Sequence, residues 1–412
     1  MKHKCCLSLL IVVSLVLLCF ASATVLSQSR HDIICIQSNI ASGSIELPYG
    51  FRIILQQQGD ESLQVWNPLD DTSTILDGTA DVVFLMVTND YHHLVMLHQV
   101  GENYVWERRS LVSGERQLVP YDAGPPAQVT ELKNGSIGIS TGLYKNLVVD
   151  FAAGTVTDYQ TETRLETFGM IASEFYLDHS FTHAAYWRET WTTGFFIRDL
   201  SNQEDVVIPT DVNLWRSPLE WSPDDQMAAL PNFDRVVVIS LENGRILHDT
   251  SEPVELFEAV GDIAIAAGRL TWSPDSNLLA VDYQGIGWSW EYKYNYFTPE
   301  NSPADWDDPS AIDDGWVYIY DLETGVQERC FRRERSVARS AGLRHYPYWT
   351  PDGRYLWWLE EQPEFTRNRP TGLEGLRPDH GLDLVVADLE TGAYGVVAKD
   401  VGWLSSLVMV DD

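Results

Sequence analysis

Leu270-Thr271-Trp272-Ser273-Pro274-Asp275-Ser276-Asn277-Leu278-Leu279-Ala280-Val281-Asp282-Tyr283 holds two short apolar runs on either side of a turn. Proline presets φ, and the Asp and Ser side chains can bond the local backbone, so the stretch reads as strand, tight turn, strand. The unit occurs twice more. Leu219-Glu220-Trp221-Ser222-Pro223-Asp224-Asp225 leads into residues 227–230, and Tyr348-Trp349-Thr350-Pro351-Asp352-Gly353 leads into residues 355–359. A hairpin repeated about once per four-stranded unit, in a chain without helical periodicity, predicts an all-β fold, a β-propeller.

A second turn marks the blades more completely. Asp-Leu-Glu-Thr-Gly, whose Gly supplies the positive φ of a bulged hairpin, stands intact at residues 321–325 and 388–392. Degraded copies stand at residues 110–114, 150–154, 199–203 and 240–244, and the most worn is Asn67-Pro68-Leu69-Asp70-Asp71. Four of the steps between copies match one propeller blade of about 40 to 50 residues, and the other two are blades with insertions. Seven copies imply seven four-stranded blades. Six is the alternative, because the early blades lack the Trp-Ser-Pro-Asp hairpin.

Closure follows from what each end lacks. Blade one has three outer strands near residues 51–56, 63–66 and 74–76 but no inner strand ahead of them, while Trp403-Leu404-Ser405-Ser406-Leu407-Val408-Met409-Val410 is left over after the last turn. This final run is expected to supply the missing strand and so remove the free sheet edges. The propeller is assigned to residues 45–412, with insertions at about 285–315 and 361–381, behind a leader over residues 24–44.

The first 23 residues predict the compartment. Lys2, His3 and Lys4 precede an apolar run over residues 7–20, and Ala21-Ser22-Ala23 places small residues where a signal peptidase cuts. Residues 1–23 are therefore expected to be a signal peptide cleaved after Ala23, leaving a secreted or extracytoplasmic monomer without a membrane span. The formal charge of -32 repels phosphate backbones and anionic lipid heads, which excludes nucleic acid as an expected partner. Three of the five cysteines lie in the signal segment. The remaining two, Cys35 and Cys330, either form a disulfide in an oxidising compartment or are two unrelated buried thiols.

Trp-Ser-Pro-Asp at Trp221 and Trp272, Trp-Thr-Pro-Asp-Gly at Trp349 and Asp-Leu-Glu-Thr-Gly at Asp321 and Asp388 together resemble the WD-type repeats of the TolB family. Similar repeats build the propeller half of prolyl oligopeptidases. The resemblance is specific over residues 221–392 and looser over residues 45–208. It implies a propeller that binds other molecules at its faces or central channel. Two departures limit it: there is no room for the N-terminal α/β domain of TolB, and no Gly-x-Ser-x-Gly elbow of a hydrolase.

Candidate binding residues lie in the insertions. Trp288, Trp290, Tyr292, Tyr294 and Tyr296 alternate with Ser289, Glu291, Lys293 and Asn295, so an extended strand turns all five rings to one face. Such a row is a docking face for a glycan or a protein, unless it packs on its own blade. Asp305, Asp307 and Asp308 offer hard oxygen ligands to calcium without the register of a calcium loop, so no cofactor is the first expectation and calcium the second. Arg332, Arg333 and Arg335 concentrate positive charge that would hold an anionic ligand or pair with the acidic insertion. Trp221, Trp272 and Trp349 hold the same place in each repeat and read as blade-packing residues. His92, His93 and His98 read as packing rather than ligation.

No zinc, phosphate-loop, Cys-x-x-Cys or nucleophile motif is present. The expectation is a secreted or envelope-associated, non-catalytic binding scaffold for a protein or glycan. A propeller hydrolase or lyase acting on extracellular polysaccharide through channel carboxylates is the alternative, and a purely structural envelope protein is a third class.

Overall fold

The computed structural model describes residues 36–37, 45, 47, 50–56, 62–124, 126, 128–140, 146–158, 172–188, 194–202, 204–208, 219–232, 235–249, 264–286, 315–324, 326–333, 347–361 and 381–410. All the regular structure among them is strand, and among the described residues no helix is long and apolar enough to cross a membrane. The strands form seven sheets. The chain is a seven-bladed β-propeller, so the larger of the two blade counts is the one found.

After β1 (Ile36–Gln37) come three strands of blade one, β2 (Phe51–Gln56), β3 (Leu63–Asn67) and β4 (Thr72–Ile75). Blade two is β5 (Val82–Val87), β6 (His93–Val100), β7 (Asn103–Ser110) and β8 (Arg116–Tyr121), and blade three is β9 (Gln128–Glu131), β10 (Ile137–Ser140), β11 (Asn146–Asp150) and β12 (Thr155–Asp158). Blade four is β13 (Ala172–Leu177), β14 (His183–Arg188), β15 (Gly194–Asp199) and β16 (Asp205–Val207). Blade five is β17 (Glu220–Trp221), β18 (Met227–Asn232), β19 (Arg235–Ser240) and β20 (Ile246–Asp249). Blade six is β21 (Ala264–Trp272), β22 (Leu278–Ile286), β23 (Gly315–Asp321) and β24 (Val326–Arg333), and blade seven is β25 (Tyr348–Trp349), β26 (Tyr355–Glu361), β27 (Leu382–Asp388) and β28 (Tyr394–Val401). The last strand, β29 (Ser406–Met409), returns to blade one and pairs antiparallel with β2, Phe51 opposite Met409 and Ile53 opposite Leu407. The ring is therefore closed as expected, by a strand that supplies blade one with its first position.

Central strands such as β6 and β19 read as continuous apolar runs because both of their faces are buried. On β6, Leu94 and Met96 pack toward blades one and seven, while Val95 and Leu97 pack toward blade three. On β19, Val237 and Ile239 face blade four, and Val236 and Val238 face blade six. Alternation with period two thus sends successive side chains into the two neighbouring interfaces. The core lies between blades rather than inside any one of them. At about 1.5–3 kcal/mol for each buried Val or Leu, no blade is stable without its neighbours.

Strict alternation of strand direction sorts the connections. Links between first and second strands and between third and fourth emerge at one end of the ring, here called the turn face. Links between second and third strands and between blades emerge at the other. On the turn face the worn hairpins are real: Gly114 and Gly244 bond back to Ser110 and Ser240 as Gly392 does to Asp388. In blade one, Asp71 takes the positive φ (56°) otherwise held by Gly, and its carboxylate accepts a bond from Trp66 Nε1. At the outer edge of blade six, β1 adds a parallel fifth strand, Ile36 opposite Phe331 and Gln37 opposite Arg332.

Candidate functional site

The site is assembled from the first hairpin of each blade. In blades five, six and seven the hydroxyls of Ser222, Ser273 and Thr350 donate to Asp224, Asp275 and Asp352 at 2.5–2.6 Å, and each hydroxyl also accepts from the backbone N–H five residues on. The fourth turn residue, Asp225, Ser276 or Gly353, is left-handed, with φ of 56°, 62° and 69°. Blade two builds the same turn from Thr88-Asn89-Asp90-Tyr91: Thr88 Oγ1 donates to Asp90 at 2.5 Å and Tyr91 has φ 61°. In blade four Asp178 replaces the hydroxyl and accepts from Thr182 N and Oγ1. These early turns were missed as motifs because proline and tryptophan are absent. The Ser/Thr-x-Asp core alone would have revealed blade two.

In five of the blades the strand residue entering the turn lines the cavity. It is Trp221, Trp272 and Trp349 in blades five to seven, Val87 in blade two and Glu131 in blade three. Two of the tryptophans also cement the ring: Trp272 Nε1 donates to Glu220 O and Trp349 Nε1 to Thr271 O, both at 3.1 Å across a blade interface. Their packing role is therefore as expected from the sequence. Trp221 Nε1, in contrast, is buried without a partner among the described residues.

Around these residues lies a cavity of about 380 Å³ to which all seven blades contribute. Blade two supplies Phe84, Met86, Val87, Asn89 and Tyr91; blade three supplies Val129, Thr130 and Glu131; blade four supplies His179. Blades five to seven supply the tryptophans with Glu220, Tyr348 and Trp357, and the segment leading into β29 supplies Trp403, Ser405 and Ser406. Tyr348 and Trp357 stack with centroids 4.5 Å apart. Tyr91 crosses from blade two to blade seven, where its hydroxyl donates to Trp349 O and accepts from Trp357 Nε1, each at 2.7 Å. Burial raises the Tyr91 phenol above its usual range.

Two carboxylates here behave oppositely. Burial pushes Glu131 above the usual carboxylate range, the 2.6 Å bond from Asn89 N–H opposes this, and the nearby Asp90 adds to the rise. Burial also works against the charge of Asp225, but it is outweighed. Asp225 accepts from His179 Nδ1 (2.8 Å), Lys133 Nζ (2.6 Å) and Ser180 Oγ (2.5 Å), so its pKa falls well below the ordinary value. Lys133 belongs to blade three and His179 and Ser180 to blade four, so this carboxylate ties three consecutive turns together.

A second charged cluster sits within blade two. Glu107, fully buried on β7, is held at about 2: burial opposes its charge, and His98, Arg116 and Arg109 outweigh burial. His98 bridges Glu107 (3.1 Å) and Asp81 (2.7 Å), and burial lowers its pKa less than those two acids raise it. His93 Nδ1 lies 3.0 Å from Asp90, and His92 Nδ1 lies 3.3 Å from Met409 O. Among the described residues no group of three His, Cys, Asp or Glu is arranged to hold a metal.

Of the candidate residues named from sequence, Trp288, Trp290, Tyr292, Tyr294, Tyr296, Asp305, Asp307, Asp308, Arg335 and Cys35 lie outside the described residues. Arg332 and Arg333 occupy consecutive positions on β24, opposite Trp316 and Gly315, and Cys330 stands on the same strand opposite Tyr318. Glu131 was missed because an acid in a weakly patterned strand carries no signal until the ring is assembled around it.

No family model and no curated protein sequence matches the chain. Solved structures do. TolB from Acinetobacter baumannii aligns with 87% of this chain at 10% identity and a TM-score of 0.41, and this chain spans only 66% of it. The periplasmic gluconolactonase PpgL of Pseudomonas aeruginosa aligns with 88% of this chain and 99% of its own at 15% identity and 0.48. A putative 6-phosphogluconolactonase from Bacteroides fragilis aligns with 89% and 100% at 11% identity and 0.45. The likeness is one of fold.

Proposed function

We propose that the protein is a non-catalytic binding scaffold that works outside the cytoplasm and holds a protein or glycan partner. The observation that carries this reading is the aromatic-walled cavity to which every blade contributes. Apolar concavities with a few convergent polar groups are the usual form of a binding site. The blade-six insertion, with its alternating rings, is the second contact surface in this reading. The strongly negative charge favours partners that are neutral or basic.

Affinity capture from the exported fraction of the source cell tests it, with the purified full chain beside two variants. One replaces Trp288, Trp290, Tyr292 and Tyr294 by Ala, and the other is Tyr348→Ala, at a half-buried position of the cavity wall. A partner lost by either variant assigns the surface. If the folded wild-type chain captures nothing, the scaffold reading fails.

A second reading, a hydrolase or lyase acting on extracellular polysaccharide, is favoured by one observation. Glu131 and Glu220 line the same cavity, and burial raises the Glu131 pKa above its ordinary value. A pair of carboxylates of which one is a raised acid is what glycoside cleavage uses. Turnover of a polysaccharide that disappears in both Glu131→Gln and Glu220→Gln would establish it.

A further inference from the structure

We propose that the channel cavity takes an alkylammonium group, with its positive charge held between the aromatic wall and the Glu131 carboxylate. This deepens the binding reading and rests on it. The chemistry of the wall selects the charge. The N–H groups of Trp272 and Trp349 are already engaged by Glu220 O and Thr271 O, so these two indoles have no donor left for a ligand. Other polar groups are committed as well. His179 Nδ1 bonds Asp225, Ser405 Oγ accepts from Gln56 N, and Ser406 Oγ donates to Leu404 O. A neutral polyol needs several free donors and acceptors, and the groups named here are already engaged, Trp221 Nε1 excepted. An ammonium ion needs ring faces and one anion.

Glu131 is that anion. It occupies the ring position filled by tryptophan in blades five to seven, and among the described residues the backbone N–H of Asn89 is its one hydrogen-bond donor. Of the charged groups that face it, Asp90 adds to the negative potential, while Arg108 and His179 oppose it from beyond ion-pair distance. Burial and Asp90 hold the carboxyl above its ordinary pKa, which a bound cation would reverse. The overall charge of -32 draws cations to the mouth. The ammonium group has two sources of the same chemistry, a free quaternary amine or a lysine side chain carried by a partner protein.

Isothermal titration of the purified full chain distinguishes them, with choline, its neutral isostere 3,3-dimethyl-1-butanol, and N-acetyl-lysine methylamide as probes. The expected result is saturable choline or lysine binding, with the neutral isostere about tenfold weaker or worse. Glu131→Gln should weaken the cation by about tenfold and leave the isostere unchanged. Tighter choline supports the free amine and tighter lysine a partner's side chain. Equal binding of isostere and cation overturns the proposal, as does cation binding that Glu131→Gln leaves intact. If neither cation binds but capture of a partner still depends on Tyr348, the ammonium proposal is overturned and the scaffold reading stands. If capture also fails, both fall.

Discussion

Between blades five, six and seven the joint at the turn face is an indole. Trp272 and Trp349 each donate to a backbone carbonyl of the preceding blade while their rings pack in the interface. Between blades three, four and five the joint is a carboxylate, Asp225, which gathers Lys133, His179 and Ser180. The first kind combines ring burial with one neutral hydrogen bond of about 1 kcal/mol. The second pays desolvation and is strong only while every partner is present. The turns that lost the recognisable motif did not lose their joint; they exchanged an apolar one for a charged one. The two halves of the ring should therefore respond differently to mutation and to pH.

Blade one is the extreme case, since its first strand comes from the other end of the chain. Deleting residues 403–412 removes the buried Trp403, Leu404, Leu407 and Val408. At about 1.5–3 kcal/mol each, their loss matches the ~5–15 kcal/mol by which a typical domain is stable. The deletion should abolish the cooperative thermal transition followed by circular dichroism. A truncated chain that melts like the full one would show that the strand is dispensable.

Asp225→Ala should come next, at about 3 kcal/mol in denaturant unfolding, because it strands His179 and Lys133. The Lys133 share is small, since that side chain is half exposed. The same joint sets the acid sensitivity. Asp225 and Glu107 both have folded pKa values below their unfolded ones, Glu107 at about 2. Their stabilisation is complete above about pH 5 and drains away as pH falls through about 4 toward 2. Stability of Asp225→Asn should fall less steeply over that window. A variant with the wild-type slope would remove Asp225 from the charged joint.

The indole joint should cost less to break. Trp272→Phe keeps most of the ring but leaves Glu220 O without its donor, a loss of about 1–2 kcal/mol with no change in pH slope. A pH-dependent loss would blur the distinction between the two halves.

The smallest effect belongs to the leader. Ile36 stands opposite Phe331, and the two cysteines whose pairing the sequence leaves open, Cys35 and Cys330, precede these residues in the chain. A peptide map of the purified protein without reductant should contain them cross-linked, and Cys35→Ser should leave the melting temperature nearly unchanged because β1 is only an edge strand. Two free thiols in that map would rule the cross-link out.

Much of the fold was legible because its signals are local. Asp-Leu-Glu-Thr-Gly survives recognisably even as Ser110-Leu111-Val112-Ser113-Gly114, since a left-handed fourth or fifth turn residue leaves few substitutes. The leftover run at 403–410 announced the closure by arithmetic. The candidate site was hardly legible. Val87-Thr88-Asn89-Asp90 and Leu177-Asp178 hide their kinship with Trp-Ser-Pro-Asp, because the turn needs only an oxygen at its first position and not the neighbouring ring.

From the sequence by itself come the all-β class, the repeating turn, the number of blades to within one, and the closing strand. Each depends on residues close together in the chain or on a pattern that recurs. Only the tertiary structure decided which residues meet. Asp225 joins residues 46 and 92 positions away, and Tyr91 reaches a carbonyl 258 positions away. Such contacts depend on how seven sheets close into one ring, and that geometry brings Glu131 and three repeat tryptophans around the same cavity.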